Sequence, residues 1–206
     1  LSTTAMAQWG GKKVKGNDPV HKVTIIPRGR ALGVTMSLPE KDKLTHKKSE
    51  MKAMLAMLYG GRVAEQKIFG DEHVTTGASS DITRATDIAR AMVTDYGMAD
   101  SKEGKELGRV RYSKNPANPN AHSSISPDTQ KLIDREVVSL TTEAETLARD
   151  TLDKYNKEFE NLAQALLKYE TLDNEEIDLA MAGKPIGRPD PTATKTQKKS
   201  SAPKKG

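Results

Sequence analysis

Thr75-Thr76-Gly77-Ala78-Ser79-Ser80-Asp81 runs straight into a stretch in which Ile82, Ala85, Ala89, Met92 and Tyr96 recur at spacings of three and four. That period predicts an amphipathic helix opening at Asp81. Ser79 and Ser80 are expected to cap the free N–H groups there, and the helix dipole favours an ionised acid at this end, the state in which a carboxylate can bind a metal. Taken alone, Asp81 reads as part of the cap.

Working outward, Lys47 to Phe69 predicts a helix with Met51, Met54, Leu55, Leu58 and Ile68 as inner positions. Upstream, His21 to Ile26 predicts a strand bounded by Pro27, with Ala31 to Leu38 as its partner across Arg28-Gly29-Arg30. Downstream, Ala99 to Ser124 is polar and carries Asn115-Pro116 and Asn118-Pro119, which predicts a long mobile loop. Serine followed by proline at Ser126-Pro127 signals a new helix, along which Ile133, Val137, Leu140, Ala144, Leu147 and Leu152 keep spacings of three to five. A second helix is expected from Lys157 to Tyr169, with Phe159, Leu162, Ala163, Leu166 and Leu167 inward. A short third, Asn174 to Met181, is announced by Asp173 and Glu175-Glu176. The methionines, spread over several helices, read as core filler. The fold class expected is mainly α, with a small β-sheet near the N-terminus.

Composition narrows the function. The 206 residues suffice for one domain plus a tail, and the absence of cysteine excludes disulfides and thiolate metal sites. The net charge of +5 suggests nucleic acid until its distribution is read. Residues 184–206 hold seven Lys or Arg and one acid, so the basicity lies in the tail and the rest of the chain is close to neutral. Rich in Pro, Thr, Ser and Lys, that tail is expected to be disordered, and no nucleic-acid partner is expected. No apolar run reaches bilayer-spanning length, and no Walker loop is present.

Three motifs, in order, carry a resemblance: Pro27-Arg28-Gly29-Arg30-Ala31-Leu32-Gly33, Tyr59-Gly60-Gly61-Arg62-Val63-Ala64-Glu65, and the Asp81 segment. A fourth, Leu166-Leu167-Lys168-Tyr169-Glu170-Thr171-Leu172, matches the C-terminal helical region of the same family. Together they resemble the peptidase domain of the FtsH family, membrane-anchored ATP-dependent zinc metalloproteases of the bacterial FtsH or mitochondrial i-AAA type. The resemblance covers residues 17–183. It implies a domain that degrades unfolded or membrane proteins, a homo- or hetero-hexamer in the full-length protein, and ATP acting only through a separate ATPase module. It also implies anchorage in the bacterial plasma membrane or the mitochondrial inner membrane.

The same resemblance implies a zinc held by two histidines of an H-E-x-x-H helix, with Asp81 as third ligand and Glu65 as a supporting carboxylate. Without the resemblance, Glu65 reads as a surface glutamate on a charged helix face. Gly33-Val34-Thr35 is expected to offer a strand edge to which an extended substrate can pair whatever its side chains. The H-E-x-x-H motif itself is missing from this chain. At the family's usual spacing its positions fall on Thr3, Thr4 and Ala7, which supply no imidazole and no carboxylate. Residues 1–16 read as a divergent leader, with Gly10-Gly11 and Lys12-Lys13-Val14-Lys15 where a buried helix would run. So abrupt a junction suits a misjoined or foreign leader, and Leu1 in place of methionine suits a fragment. The expectation is a peptidase domain inactive as written. The alternative is a non-catalytic subunit that keeps the fold to fill a place in the ring.

Overall fold

The computed structural model describes residues 20–26, 34–37, 45–99, 101–112 and 125–189. Three strands and five α-helices are built from them. Strand β1 is Val20–Thr24 and β2 is Val34–Ser37; helix α1 is Lys48–Phe69, α2 Ser79–Thr94, α3 Pro127–Lys154 and α4 Asn156–Tyr169; β3 is Thr171–Asp173 and α5 Asn174–Met181. The mainly α architecture with a small sheet is as the sequence predicts.

Helices α1 and α3 form a spine shared by two cores. Towards one end, Met51, Leu55 and Leu58 of α1 meet Ala85, Ala89, Met92 and Val93 of α2 and Ile133, Val137, Leu140 and Ala144 of α3. Towards the other, Val63 and Ala64 of α1 and Ala148 and Leu152 of α3 pack with Phe159, Leu162 and Leu166 of α4, Leu172 of β3 and Ile177 of α5. Tyr59 lies between the two and packs against both. Each fully buried Leu, Ile or Met contributes about 1.5–3 kcal/mol, so these two clusters supply the main driving force for the fold.

The caps explain the helix boundaries. Ser126 Oγ accepts the Thr129 N–H at 3.2 Å and Pro127 occupies the first turn of α3. Asp173 and Glu176 form a reciprocal capping box at α5, with bonds of 2.9 and 3.1 Å. Several inward assignments need correction. Ile68, Leu147 and Leu167 are exposed, and so is Tyr96, which lies beyond the end of α2. Ile68, Leu147 and Leu167 sit at the margin of an apolar stripe, where a period of 3.6 does not decide between the core and solvent, and Tyr96 is exposed because the helix stops before it.

The sheet holds one strand more than expected. Its order is β2-β1-β3 with both pairings antiparallel, and Leu172, read with the C-terminal helical motif, lies on β3. The polar connection after α2 is also not uniformly loose. A 3₁₀ turn at Gly104–Leu107 buries Leu107, and Tyr112 donates its hydroxyl to the Leu107 carbonyl at 2.6 Å and its N–H to Thr94 O at 2.8 Å. Both Asn-Pro pairs lie outside the described residues.

Candidate functional site

The site is built where α1 ends and α2 begins. After Phe69 the chain turns at Gly70, whose φ of +81° suits glycine, and passes through short 3₁₀ turns at Asp71–His73 and Thr76–Ala78. Thr75, between the turns, is gripped from α1. Its hydroxyl donates to Glu65 Oε1 at 2.9 Å, its N–H donates to Glu65 Oε2 at 3.3 Å, and Arg62 Nη1 donates to its carbonyl at 3.1 Å. The Thr75 hydroxyl oxygen also accepts the Gly77 N–H at 3.2 Å. A chain of hydrogen bonds therefore runs from the buried carboxylate of Glu65 into the turn that feeds α2.

Two expectations change here. Glu65 is not a surface glutamate: it is 9% exposed, and its carboxylate is occupied by Thr75. The residue before α2 is Ala78, without a side-chain cap, so the capping expected of Ser79 and Ser80 is not seen; Thr75 instead caps the 3₁₀ turn Thr76–Ala78.

Asp81 lies in the first turn of α2, half-buried. Burial pushes its carboxyl above the ordinary aspartate value, and the neighbouring Arg84 guanidinium pulls the other way with less effect.

Of the substrate-edge residues, Val34 and Thr35 lie on β2, an edge strand paired only with β1 among the described residues; Gly33 lies outside them. Thr3, Thr4 and Ala7 are also outside. Among the described residues no group of three or more His, Cys, Asp and Glu side chains could hold a metal. His21 on β1, His46 just before α1 and His73 in the 3₁₀ turn Asp71–His73 are all exposed. A tetrahedral zinc needs three or four N, S or O donors, and Asp81 with Thr3, Thr4 and Ala7 supplies one carboxylate. The donor set in this chain does not fit the metal.

A second buried carboxylate escapes sequence reading. Glu136 of α3 is 3% exposed and accepts the Ser101 N–H at 3.2 Å, while Gly104 lies so close that an added Cβ would stand 2.5 Å from Oε2. It fastens the 3₁₀ turn after α2 to the spine. Its only sequence signal is a charged residue falling on the apolar face beside Ile133, Val137 and Leu140.

The fold is a helical domain with a three-stranded sheet at one end, and the sequence comparisons give it a family. The chain belongs to peptidase family M41, whose sequence model matches residues 9–179 and leaves out Thr3, Thr4 and Ala7. It is 44% identical over 180 residues to the ATP-dependent zinc metalloprotease FtsH of Photobacterium profundum, covering 84% of this chain and 25% of that protein. It is 44% identical over 181 residues to the ATP-dependent zinc metalloprotease YME1 homolog of Caenorhabditis elegans, covering 88% and 25%. With the mitochondrial inner membrane i-AAA protease supercomplex subunit YME1 of Saccharomyces cerevisiae the identity is 42% over 177 residues, covering 86% and 22%. The chain spans about a quarter of the length of these relatives. Among the described residues no helix is long and apolar enough to cross a membrane.

Proposed function

We propose that this chain is the peptidase-domain part of an FtsH-type ATP-dependent zinc metalloendopeptidase acting on unfolded or membrane proteins, and that as written it does not hydrolyse peptides. The observation that supports the reading is the α1–α2 junction, in which Glu65 holds Thr75 and Asp81 lies six residues further on in the first turn of α2. In this reading Asp81 is the remaining metal ligand, Glu65 supports its segment, and Gly33, Val34 and Thr35 pair with an extended substrate. Pairing through the free N–H and C=O groups of β2 makes no demand on substrate side chains, which suits a protease of broad tolerance. By similarity to its relatives, the whole protein works as a hexamer at a bacterial or inner mitochondrial membrane, with ATP consumed by a separate module.

One observation favours the alternative of a non-catalytic ring subunit: Thr3, Thr4 and Ala7 replace every donor of the motif, while the Glu65–Thr75 lock is intact. Calorimetric titration of the purified chain with zinc tests the donor deficit. The expected result is no stoichiometric binding at micromolar metal, because a single carboxylate leaves a site filled mostly by water. Stoichiometric micromolar binding, or zinc-dependent cleavage of an unfolded peptide, would overturn the reading.

A further inference from the structure

We infer that residues 184–189 form a strap, and that its Arg188 is a positioning residue holding the sheet, edge strand β2 included, in register. The path of the strap is set by the end of α5. Gly183, at φ +67°, donates its N–H to Ala180 O at 2.9 Å, and Lys184 donates to Leu179 O at 2.9 Å, so the chain doubles back. Asn161 of α4 secures the same corner, its Nδ2 donating to Met181 O at 3.3 Å. Ile186 then packs on the core shared by the sheet, α4 and α5. The strap occupies the first residues of the stretch whose composition predicts disorder.

Arg188 closes the strap on three elements at once. Its guanidinium carbon lies 5.1 Å from the Tyr169 ring centroid at the end of α4, Nη2 donates to the carbonyl of Thr171 in β3, and Nε lies 3.0 Å from Glu176 Oε1 in α5. The other oxygen of Glu176 accepts the Asp173 N–H at 3.1 Å. One planar, five-donor cation thus bridges both flanks of β3, a role that lysine's single ammonium cannot fill.

β3 needs such a clamp. It has three residues and lies at a sheet margin, where a strand has little stability of its own. The pairing register shows what depends on it. Thr24 faces Thr171 on one side and Val34 on the other; Val23 faces Leu172 and Thr35; Lys22 faces Asp173 and Met36. The Thr171 carbonyl gripped by Arg188 therefore belongs to the row that crosses Thr24 to Val34. Release of the strap frees β3, and β1 then loses one of the two neighbours that fix β2.

The functional consequence rests on the proposal that β2 pairs with substrate; the clamp does not. Hydrogen exchange followed by mass spectrometry on the whole chain tests the clamp, comparing wild type with Arg188→Ala, Arg188→Lys and Ile186→Ser. The Arg188 side chain is 41% exposed, so solvent screens the ion pair and the expected acceleration for Arg188→Ala is modest, about tenfold. It is expected in segments 20–24, 34–37 and 171–173, with amides of 133–144 unchanged. Lysine is expected to recover only part of the protection, and Ile186→Ser to reproduce the loss. Unchanged exchange in the sheet, full recovery by lysine, or equal acceleration in 133–144 would sink the inference. Binding of a fluorescent extended apolar peptide, measured in parallel, separates the two ideas. A sheet loosened by Arg188→Ala with peptide affinity unchanged leaves the clamp standing and removes β2 as the substrate edge.

Discussion

Removing the Glu65 carboxylate tests whether the α1–α2 junction is held from α1. In the folded chain, Glu65 accepts two hydrogen bonds from Thr75 at 2.9 and 3.3 Å. Hydrogen bonds to a charged group contribute about 1.5–3 kcal/mol each when both partners are buried. Thr75 is exposed, however, and its donors can rehydrate once Glu65 is gone. The carboxylate also recovers hydration in the unfolded chain. The net loss for Glu65→Ala is therefore expected at about 1–2 kcal/mol, towards the low end of what a buried charged hydrogen bond gives. Thr75→Val keeps the N–H and deletes the hydroxyl, and about 1 kcal/mol is expected.

The double mutant distinguishes a direct link from two independent losses. If the Thr75 hydroxyl acts through Glu65, the double mutant should be less destabilised than the sum of the singles by about 1 kcal/mol. Urea unfolding followed by circular dichroism supplies the free energies, and hydrogen exchange of residues 75–81 supplies the local readout. Coupling below about 0.3 kcal/mol, within ordinary additivity error, would refute the reasoning. So would unchanged exchange in 75–81 in the Glu65 variant.

Two further predictions follow from neighbouring groups. Because burial raises the Asp81 pKa, the folded state holds its proton more tightly than the unfolded chain, and ionisation of Asp81 works against folding as pH rises from the unfolded value through the folded one. The stability of Asp81→Asn relative to wild type should therefore increase across that interval and level off at neutral pH; thermal melts at a series of pH values check it, and a difference that shrinks as pH rises would contradict it. Gly104→Ala places a methyl against the buried Glu136 carboxylate, which is held by the Ser101 N–H. A loss of about 1–3 kcal/mol is expected from the displaced carboxylate, and calorimetric unfolding showing no loss would mean that Glu136 repacks freely.

What the sequence reveals depends on how locally each feature is encoded. The starts of α3 and α5 are legible because Ser126-Pro127 and Asp173 act within their own first turns. The spine helices are legible because their apolar periods extend over many turns. β3 is not, since three residues carry no readable alternation and the strand is made by long-range pairing with β1 and by burial of Leu172 in the core. Nor are the buried carboxylates. Glu65 and Glu136 look like surface glutamates until the chain returns ten and thirty-five residues away to place Thr75 N and Ser101 N against them. Asp81 is legible through its motif, yet the only side-chain cap nearby is Thr75, which caps the 3₁₀ turn four residues before Ser79 and leaves the helix start itself at Ala78.

The junction that carries Asp81 is assembled independently of the missing donors. Its anchors are a carboxylate of α1, a threonine of the turn and a guanidinium that donates to the same threonine's carbonyl. The core that presses α1 and α2 together is apolar, with Met51, Leu55 and Leu58 against Ala85, Ala89, Met92 and Val93. In a structural zinc site, metal binding is itself part of the folding free energy, and loss of the ligands unfolds the domain. Here apolar burial and the Glu65–Thr75 hydrogen bonds hold the described part of the junction, so its folding is expected not to depend on a metal.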